Sequence, residues 1–181
     1  MGEIIDLDTS DGSVVERLAE ITYEAFQENA PDWVPNLDLA RKQVISATSP
    51  GRFGRVILEN GKVVGWIGVI SGKRVWEIHP IAIDIKHQYK GLGHQLVEDL
   101  ARLAKAAGAL TLFAGTSDEV GTTNLFGVDL YDDPPGAIKN IEATGRNPFK
   151  FWQNAGFTIV GVLPDAEGIG KPAIHLARRL T

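Results

Sequence analysis

The run Gln88-Tyr89-Lys90-Gly91-Leu92-Gly93-His94 carries the most explicit chemistry in the chain. It stands between a β-type segment and an amphipathic helical one, so a strand feeds a glycine-bearing turn that opens directly into a helix. The first amides of such a helix have no internal carbonyl partners and sit at the positive end of its dipole. Glycine at 91 and 93 lets a phosphate approach the backbone closely, which makes the turn a candidate anion cradle. Two nucleotide motifs do not fit. The dinucleotide fingerprint needs a third glycine where Leu96 stands, and a β-α-β unit where the preceding strands read as antiparallel. A P-loop needs Gly-Lys followed by Ser or Thr, but Gly72-Lys73 precedes Arg74 and Gly170-Lys171 precedes Pro172. Taken alone, the loop reads equally well as a plain glycine turn before a helix. Ahead of it, Glu77 and His79 are two apart in a strand-like run and so share a face.

The elements that must position these residues follow from periodicity. Val14, Val15, Leu18, Ile21, Ala25 and Phe26 form one helical stripe over residues 14–29, broken by Pro31-Asp32-Trp33-Val34-Pro35. A second short helix is expected over 37–47. Residues 55–58 and 63–70 read as strands joined by Glu59-Asn60-Gly61-Lys62, where Asn-Gly suits a tight primed turn. Residues 75–85 predict a longer strand. Leu96, Val97, Leu100, Leu103, Ala104 and Ala107 predict a helix over 92–107, with Gly108 as its left-handed terminator. A buried-type strand follows at 110–114, then a polar, turn-rich insertion over 115–146. Asn147 and Pro148 open another helix as N-cap and first residue, and it ends at Gly156. Closing strands are expected at 157–162 and 173–178. The order predicts an α+β fold: a mixed, mostly antiparallel sheet with flanking helices.

Composition narrows the function classes. At 181 residues the expectation is a single domain over 1–181, long enough to bury about two-thirds of its unfolded surface. Apolar residues make up 44% and charged residues 23%, which argues against wholesale disorder. The absence of cysteine excludes disulfides, thiolate nucleophiles and cysteine metal sites, and no metal is expected. The longest charge-free apolar stretch, 63–72, is far short of the roughly 20 residues that span a bilayer. The start of the chain has no basic leader, so a cytoplasmic protein that does not engage membranes is expected. A net charge of −5, from 18 basic and 23 acidic residues, argues against a nucleic-acid partner.

The loop does not stand alone. Gln88, Gly91 and Gly93 after a strand and before an amphipathic helix resemble the coenzyme A pyrophosphate loop of the GNAT superfamily of N-acetyltransferases, with Gln where Arg is more usual. Trp76-Glu77-Ile78-His79-Pro80-Ile81 resembles the strand before that loop in the chromosomal-type aminoglycoside 6′-N-acetyltransferases. Gly115-Thr116-Ser117-Asp118, Gly121-Thr122-Thr123, Asp129-Leu130-Tyr131, Asn147-Pro148-Phe149, Gly156-Phe157, the run from Val160 to Ala166, and Gly170-Lys171-Pro172 resemble later blocks of the same group. The resemblance spans roughly residues 55 to 180.

The resemblance implies acetyl transfer from acetyl-coenzyme A, as cosubstrate, to a primary amine, most specifically the 6′-amine of an aminoglycoside. A polyamine or protein amine is the enzymatic alternative, and a catalytically idle acyl-coenzyme A-binding module the non-enzymatic one. It places the pantetheine arm on backbone groups of Ile81, Ala82 and Ile83, with an N–H there polarising the thioester oxygen. The loop residues Gln88, Tyr89, Lys90, Gly91, Leu92, Gly93 and His94 would hold the pyrophosphate. Glu77 is the leading base or ammonium anchor, with His79 beside it; a structural histidine and a solvated strand charge are the plainer readings. Many superfamily members carry a Tyr in the late helix that can protonate the leaving thiolate. Trp152 occupies that place, and an indole is not a practical acid. Either water protonates the thiolate, or Trp152 only packs against the coenzyme, and the acid is unassigned.

Residues 106–138 hold five acids and no Lys, Arg or His. Asp118 and Glu119 among them are expected to pair with a cationic small-molecule acceptor, or else to form a solvated acidic loop. Trp33, with Asp32, is a candidate wall of the same cleft or an ordinary loop staple. The related group is commonly dimeric, and a homodimer is expected. It would pair through residues 173–178 as a free edge strand, or through the apolar Leu125, Phe126, Val128, Leu130 and Tyr131 of the insertion.

Overall fold

Asn60 and Gly61, with φ of 51° and 71°, turn the chain between β2 (Arg52–Glu59) and β3 (Lys62–Ser71). The computed structural model, which describes residues 2–180, continues this hairpin into β4 (Val75–Ile83), antiparallel to β3. Helix α3 (Leu92–Ala106) crosses over to β5 (Thr111–Ser117), which lies parallel to β4. Gly108 takes φ of 83° at the end of α3, as its position required. The chain closes with α5 (Phe149–Asn154), β6 (Thr158–Leu163) and β7 (Ala173–Arg179). Before β2 come β1 (Glu3–Asp6), α1 (Gly12–Phe26) and α2 (Leu37–Ser46). A short α4 (Pro134–Lys139) lies inside the insertion. The result is a mixed seven-stranded sheet, ordered β1-β2-β3-β4-β5-β7-β6, with helices on both faces.

Period-two alternation divides the strands between two cores. Ile57, Ile67, Val69, Ile78, Leu112, Ala114, Ile174 and Leu176 pack with α3 and α5 on one face. Val56, Trp66 and Ala82 pack with Val15, Leu18 and Ile21 of α1 and Val44 of α2 on the other. Trp66 is fully buried there, and its indole N–H donates to Thr22 Oγ at 2.8 Å. That hydroxyl in turn donates to the Leu18 carbonyl at 2.7 Å, so the only polar atom of a large core side chain is satisfied within the α1 face.

Several expectations need correction. Strand β1 was not foreseen, because its four residues carry only two apolar ones, and pairing with β2 rather than patterning holds it in place. Helix α1 starts earlier than the apolar stripe because Asp11 caps it, accepting from Ser13 N at 2.9 Å. β4 stops at Ile83, where Asp84 takes over as cap of a single 3-10 turn. The closing strand β7 is not a free edge: it lies between β5 and β6, so β6 and β1 form the edges. Nor is the insertion an exposed apolar cluster throughout. Leu125 and Leu130 are buried, whereas Phe126, Val128 and Tyr131 remain exposed.

Candidate active site

The register between β3 and β4 slips near the middle of both strands. Ile67 pairs with Ile81 and Val69 with Ile78, so two β4 residues, His79 and Pro80, stand opposite the single Gly68. This β-bulge bends β4. Its parallel pairing with β5 ends at Ile78 and Ala114, while β5 continues alongside β7 as far as Ser117. Beyond Ile78, β4 and β5 therefore part. The two strands open a cleft at the centre of the sheet.

Which backbone groups line that cleft follows from ladder alternation. Asp84 N donates to Val64 O at 2.9 Å, so Asp84 and, two residues back, Ala82 face β3. Ile81 and Ile83 then direct their amides and carbonyls towards the open side. The Gln88 side chain confirms the direction for Ile83, donating to its carbonyl at 3.1 Å. Of the three residues expected to carry the pantetheine arm, Ala82 is thus corrected: its backbone serves the β3 ladder and its side chain lies in the α1-side core.

The glycine turn sits at the end of this open edge. Gly91 caps α3 at φ of 80° with no side-chain bond to the first helical amides, and the space beside its Cα is open. Gly93 has a different reason. A Cβ there would lie 3.1 Å from the Phe151 ring, so this glycine admits α5 against α3. His94 meets the same ring edge-on at 4.9 Å. Leu92 is buried and anchors the helix. Lys90 is exposed, and Tyr89, at φ of 60° and 83% exposed, stacks under the Arg146 guanidinium at 5.0 Å. Arg146 went unnoticed in the sequence, since it lies far along the chain in a polar loop. Gln88 is a brace between turn and strand. Uncapped amides, open space and a free strand edge together fit an extended ligand with a phosphate group at one end.

Trp152 does not fit its expected place. It is only 4% exposed, wedged between Phe151 and Phe157 with ring centroids 5.0 Å from each, and belongs to the core. Its expected coenzyme contact is corrected to a packing role. Phe151, one residue earlier, is the aromatic side chain that reaches the glycine turn.

Glu77 and His79 share the α1-side face, as the spacing required, because Trp76 and Ile78 pack on the opposite side. Both are half-buried. Burial lowers the pKa of His79, the Glu77 carboxylate opposing and the Arg52 charge reinforcing the shift, so the imidazole is neutral near pH 7. Trp33 meets His79 edge-on at 5.4 Å and leans on Phe26 at 4.5 Å. The loop between α1 and α2 thus forms a wall beside the Glu77–His79 pair.

The two insertion acids part company. Asp118 is fully buried, and its oxygens accept from Gly121 N, Thr122 N and Oγ, and Thr123 N and Oγ at 2.6–3.1 Å. Its carboxylate is saturated by its own loop, so the expected acceptor pairing is corrected to a scaffold role. The Gly121-Thr122-Thr123 run supplies that cage. Glu119 is 4% exposed; Oε2 accepts from Asp32 N at 2.8 Å, while Oε1 is buried without a partner. Burial raises its pKa. The Asp32 carboxylate pairs with Lys171 Nζ at 3.0 Å.

A cavity of about 310 Å³ lies elsewhere, between α1 and the β2–β3 turn, lined by Arg17, Lys62, Asp84 and His87 among others.

Comparison with known proteins bears on the family and the fold. The acetyltransferase (GNAT) family matches residues 15–132. No curated protein matches the sequence. Among solved structures, an aminoglycoside 6′-N-acetyltransferase complexed with coenzyme A is 26% identical, with a TM-score of 0.87 over 99% of this chain and 97% of that one. The aminoglycoside 6′-N-acetyltransferase from Enterococcus faecium is also 26% identical, at 0.85 over the same shares. The ribosomal-protein-S18-alanine N-acetyltransferase from Escherichia coli shares the fold at 17% identity, with a TM-score of 0.67 over 100% and 95%.

Proposed function

Since the chain belongs to the GNAT acetyltransferase family, we propose that it transfers the acetyl group of acetyl-coenzyme A to a primary amine, the 6′-amine of an aminoglycoside. The observation that carries this reading is the parting of β4 from β5 beyond Ile78, which leaves the backbone of Ile81 and Ile83 unpaired on the β4 segment between the Glu77–His79 pair and the uncapped start of α3. Both aminoglycoside enzymes described above match the chain over nearly its whole length, which supports the choice of acceptor.

Each segment has a physical task. The free amides at the start of α3 hold the pyrophosphate, and Gly91 lets it approach. The Ile81 N–H, aimed at the cleft, donates to the thioester oxygen as negative charge develops there. An alkylammonium, with a pKa of about 10, must lose a proton before it attacks. Glu77 holds that ammonium and takes its proton, directly or through water, while neutral His79 and Trp33 wall the acceptor side. Water is the proton source for the departing thiolate, since Trp152 lies in the core.

Thiol release from acetyl-coenzyme A, measured with kanamycin, spermidine and a lysine peptide, tests the reading. Turnover is expected with kanamycin at the highest kcat/KM. Preference for spermidine or the peptide would move the acceptor class, and coenzyme binding without turnover would make the chain an acyl-coenzyme A-binding module. The reading includes a homodimer, for which the β6 edge and the exposed Phe126, Val128 and Tyr131 offer surface. Light scattering at the monomer mass of 19.6 kDa would remove it.

A further inference from the structure

The sheet face that carries Glu77 and His79 continues sideways beyond β4. Glu77 is in register with Phe113 of β5, and Gly115 with His175 of β7. Phe113, Gly115 and His175 belong to that same face, since Leu112, Ala114, Ile174 and Leu176 fill the α3-side core opposite. Phe113 and His175 meet at 68° with ring centroids 5.3 Å apart, a near-perpendicular pair that steadies both rings. His175 has glycine opposite it on both neighbouring strands, Gly115 and Gly161. No side chain at those positions screens it.

Helices α1 and α2 cover this face over β2, β3 and β4, where Val56, Trp66 and Ala82 meet them. Phe113 and His175, by contrast, join none of the buried clusters among the described residues. Both rings are half-buried, and Gly115 between them is exposed. A Cβ added to Gly115 would meet only the His175 Cδ2 within 4 Å, at 3.9 Å. The two rings therefore make an aromatic shelf that begins one strand spacing, about 4.8 Å, from Glu77. Apolar rings left uncovered beside a reacting group have surface to give to a ligand.

We infer that Phe113 and His175 seat the ring that bears the reacting amine, and that this shelf selects ring-borne amines over amines on flexible chains. The inference rests on the amine-acetyltransferase reading and deepens it by naming residues that set the acceptor class. An amine one carbon outside a sugar or cyclitol ring reaches Glu77 while the ring itself lies over the adjacent Phe113. The C–H face of such a ring is weakly positive, and the face of an aromatic ring is its negative, apolar complement. The His175 imidazole, with two ring nitrogens, extends the shelf towards the ring hydroxyls. An open chain can also bring its amine to Glu77, but it must give up conformational freedom to lie flat.

Methyl 6-amino-6-deoxyglucopyranoside and glucamine test this, because each carries a single amine, on a ring in the first and on an open chain in the second. Their dissociation constants are read by calorimetry with the full chain saturated in coenzyme A, and their kcat/KM with acetyl-coenzyme A. The wild type is expected to favour the ring about two- to tenfold, the equilibrium equivalent of an aromatic contact. Phe113→Leu keeps apolar bulk without a flat face and is expected to bring that ratio close to one. Gly115→Val suits a strand but stands its methyl groups beside His175, so the ring preference is expected to vanish while coenzyme affinity holds. Melting curves establish that the variants fold. Equal binding of the two amines by the wild type, or an unchanged ring preference in either folded variant, overturns the shelf. A binding preference that responds to the variants while neither amine is acetylated leaves the shelf standing and removes the acetyl-transfer reading.

Discussion

A Cβ placed on Gly68 would lie 2.5 Å from the carbonyl oxygen of His79. This contact across β3 and β4 is what the bulge at His79 and Pro80 requires: the extra β4 residue pushes its backbone onto the facing strand, and only glycine leaves room. Gly68→Ala must shift one of two backbones. It is expected to lower stability by about 1–3 kcal/mol. The same shift moves Ile81 and His79, and displacement of a positioned group by about 1 Å can cost about 10²-fold in rate. Urea unfolding and kcat/KM on the same preparation check both. A variant with wild-type stability and turnover would show that the bulge tolerates a methyl group.

At the other end of the open edge, Gly91→Asp should weaken acetyl-coenzyme A binding by at least about tenfold, through a like charge facing the pyrophosphate and a strained positive φ. Titration calorimetry of the coenzyme reads the effect. Unchanged affinity in the folded variant would move the phosphate away from this turn.

Glu77→Gln preserves shape and hydrogen-bonding reach but not the ability to accept a proton. Acetylation is expected to fall by about 10²- to 10⁴-fold while coenzyme affinity holds. A kcat/KM indistinguishable from wild type between pH 6 and 9 removes Glu77 from the reaction.

Thr22→Val separates fold from site. It leaves the Trp66 indole N–H buried without an acceptor and should cost about 1–3 kcal/mol of stability. The coenzyme and amine constants of the folded variant should not move, since this pair belongs to the α1-side core and not to the cleft. An unaltered melting temperature would mean that the indole finds another partner.

The half-buried, neutral His79 also leaves a signature in stability against pH. Its folded pKa lies below the unfolded value of about 6.5, so the unfolded chain binds more protons as pH falls. The stabilising contribution is fully present above about pH 6.5 and is lost as pH falls through the lower, folded value. His79→Asn should flatten that limb of the profile, measured by urea unfolding at a series of pH values. A variant as steep as the wild type would assign the slope to other groups.

The glycine turn, the hairpin at Asn60 and Gly61, helix α3 and the shared face of Glu77 and His79 were all legible in the sequence. Each depends on neighbours within a few positions: a φ that glycine tolerates, a helical stripe, a two-residue alternation. Other features were beyond local pattern. Strand β1 exists because β2 offers it a ladder. Strand β7 reads as an edge by its alternation but inserts between β5 and β6. Trp152 and Phe151 are adjacent, and only the docking of α5 on Gly93 decides which reaches the turn. Asp118 and Glu119 are likewise neighbours with equal charge. One is saturated by Thr122 and Thr123, and the other is left with an unpaired oxygen beside a lysine from the far end of the chain. Sequence by itself thus determined the local conformations and the residue types available for acetyl transfer. The tertiary structure decided which of those residues face the cleft, because that depends on which distant segments use up their hydrogen bonds and cover their surfaces.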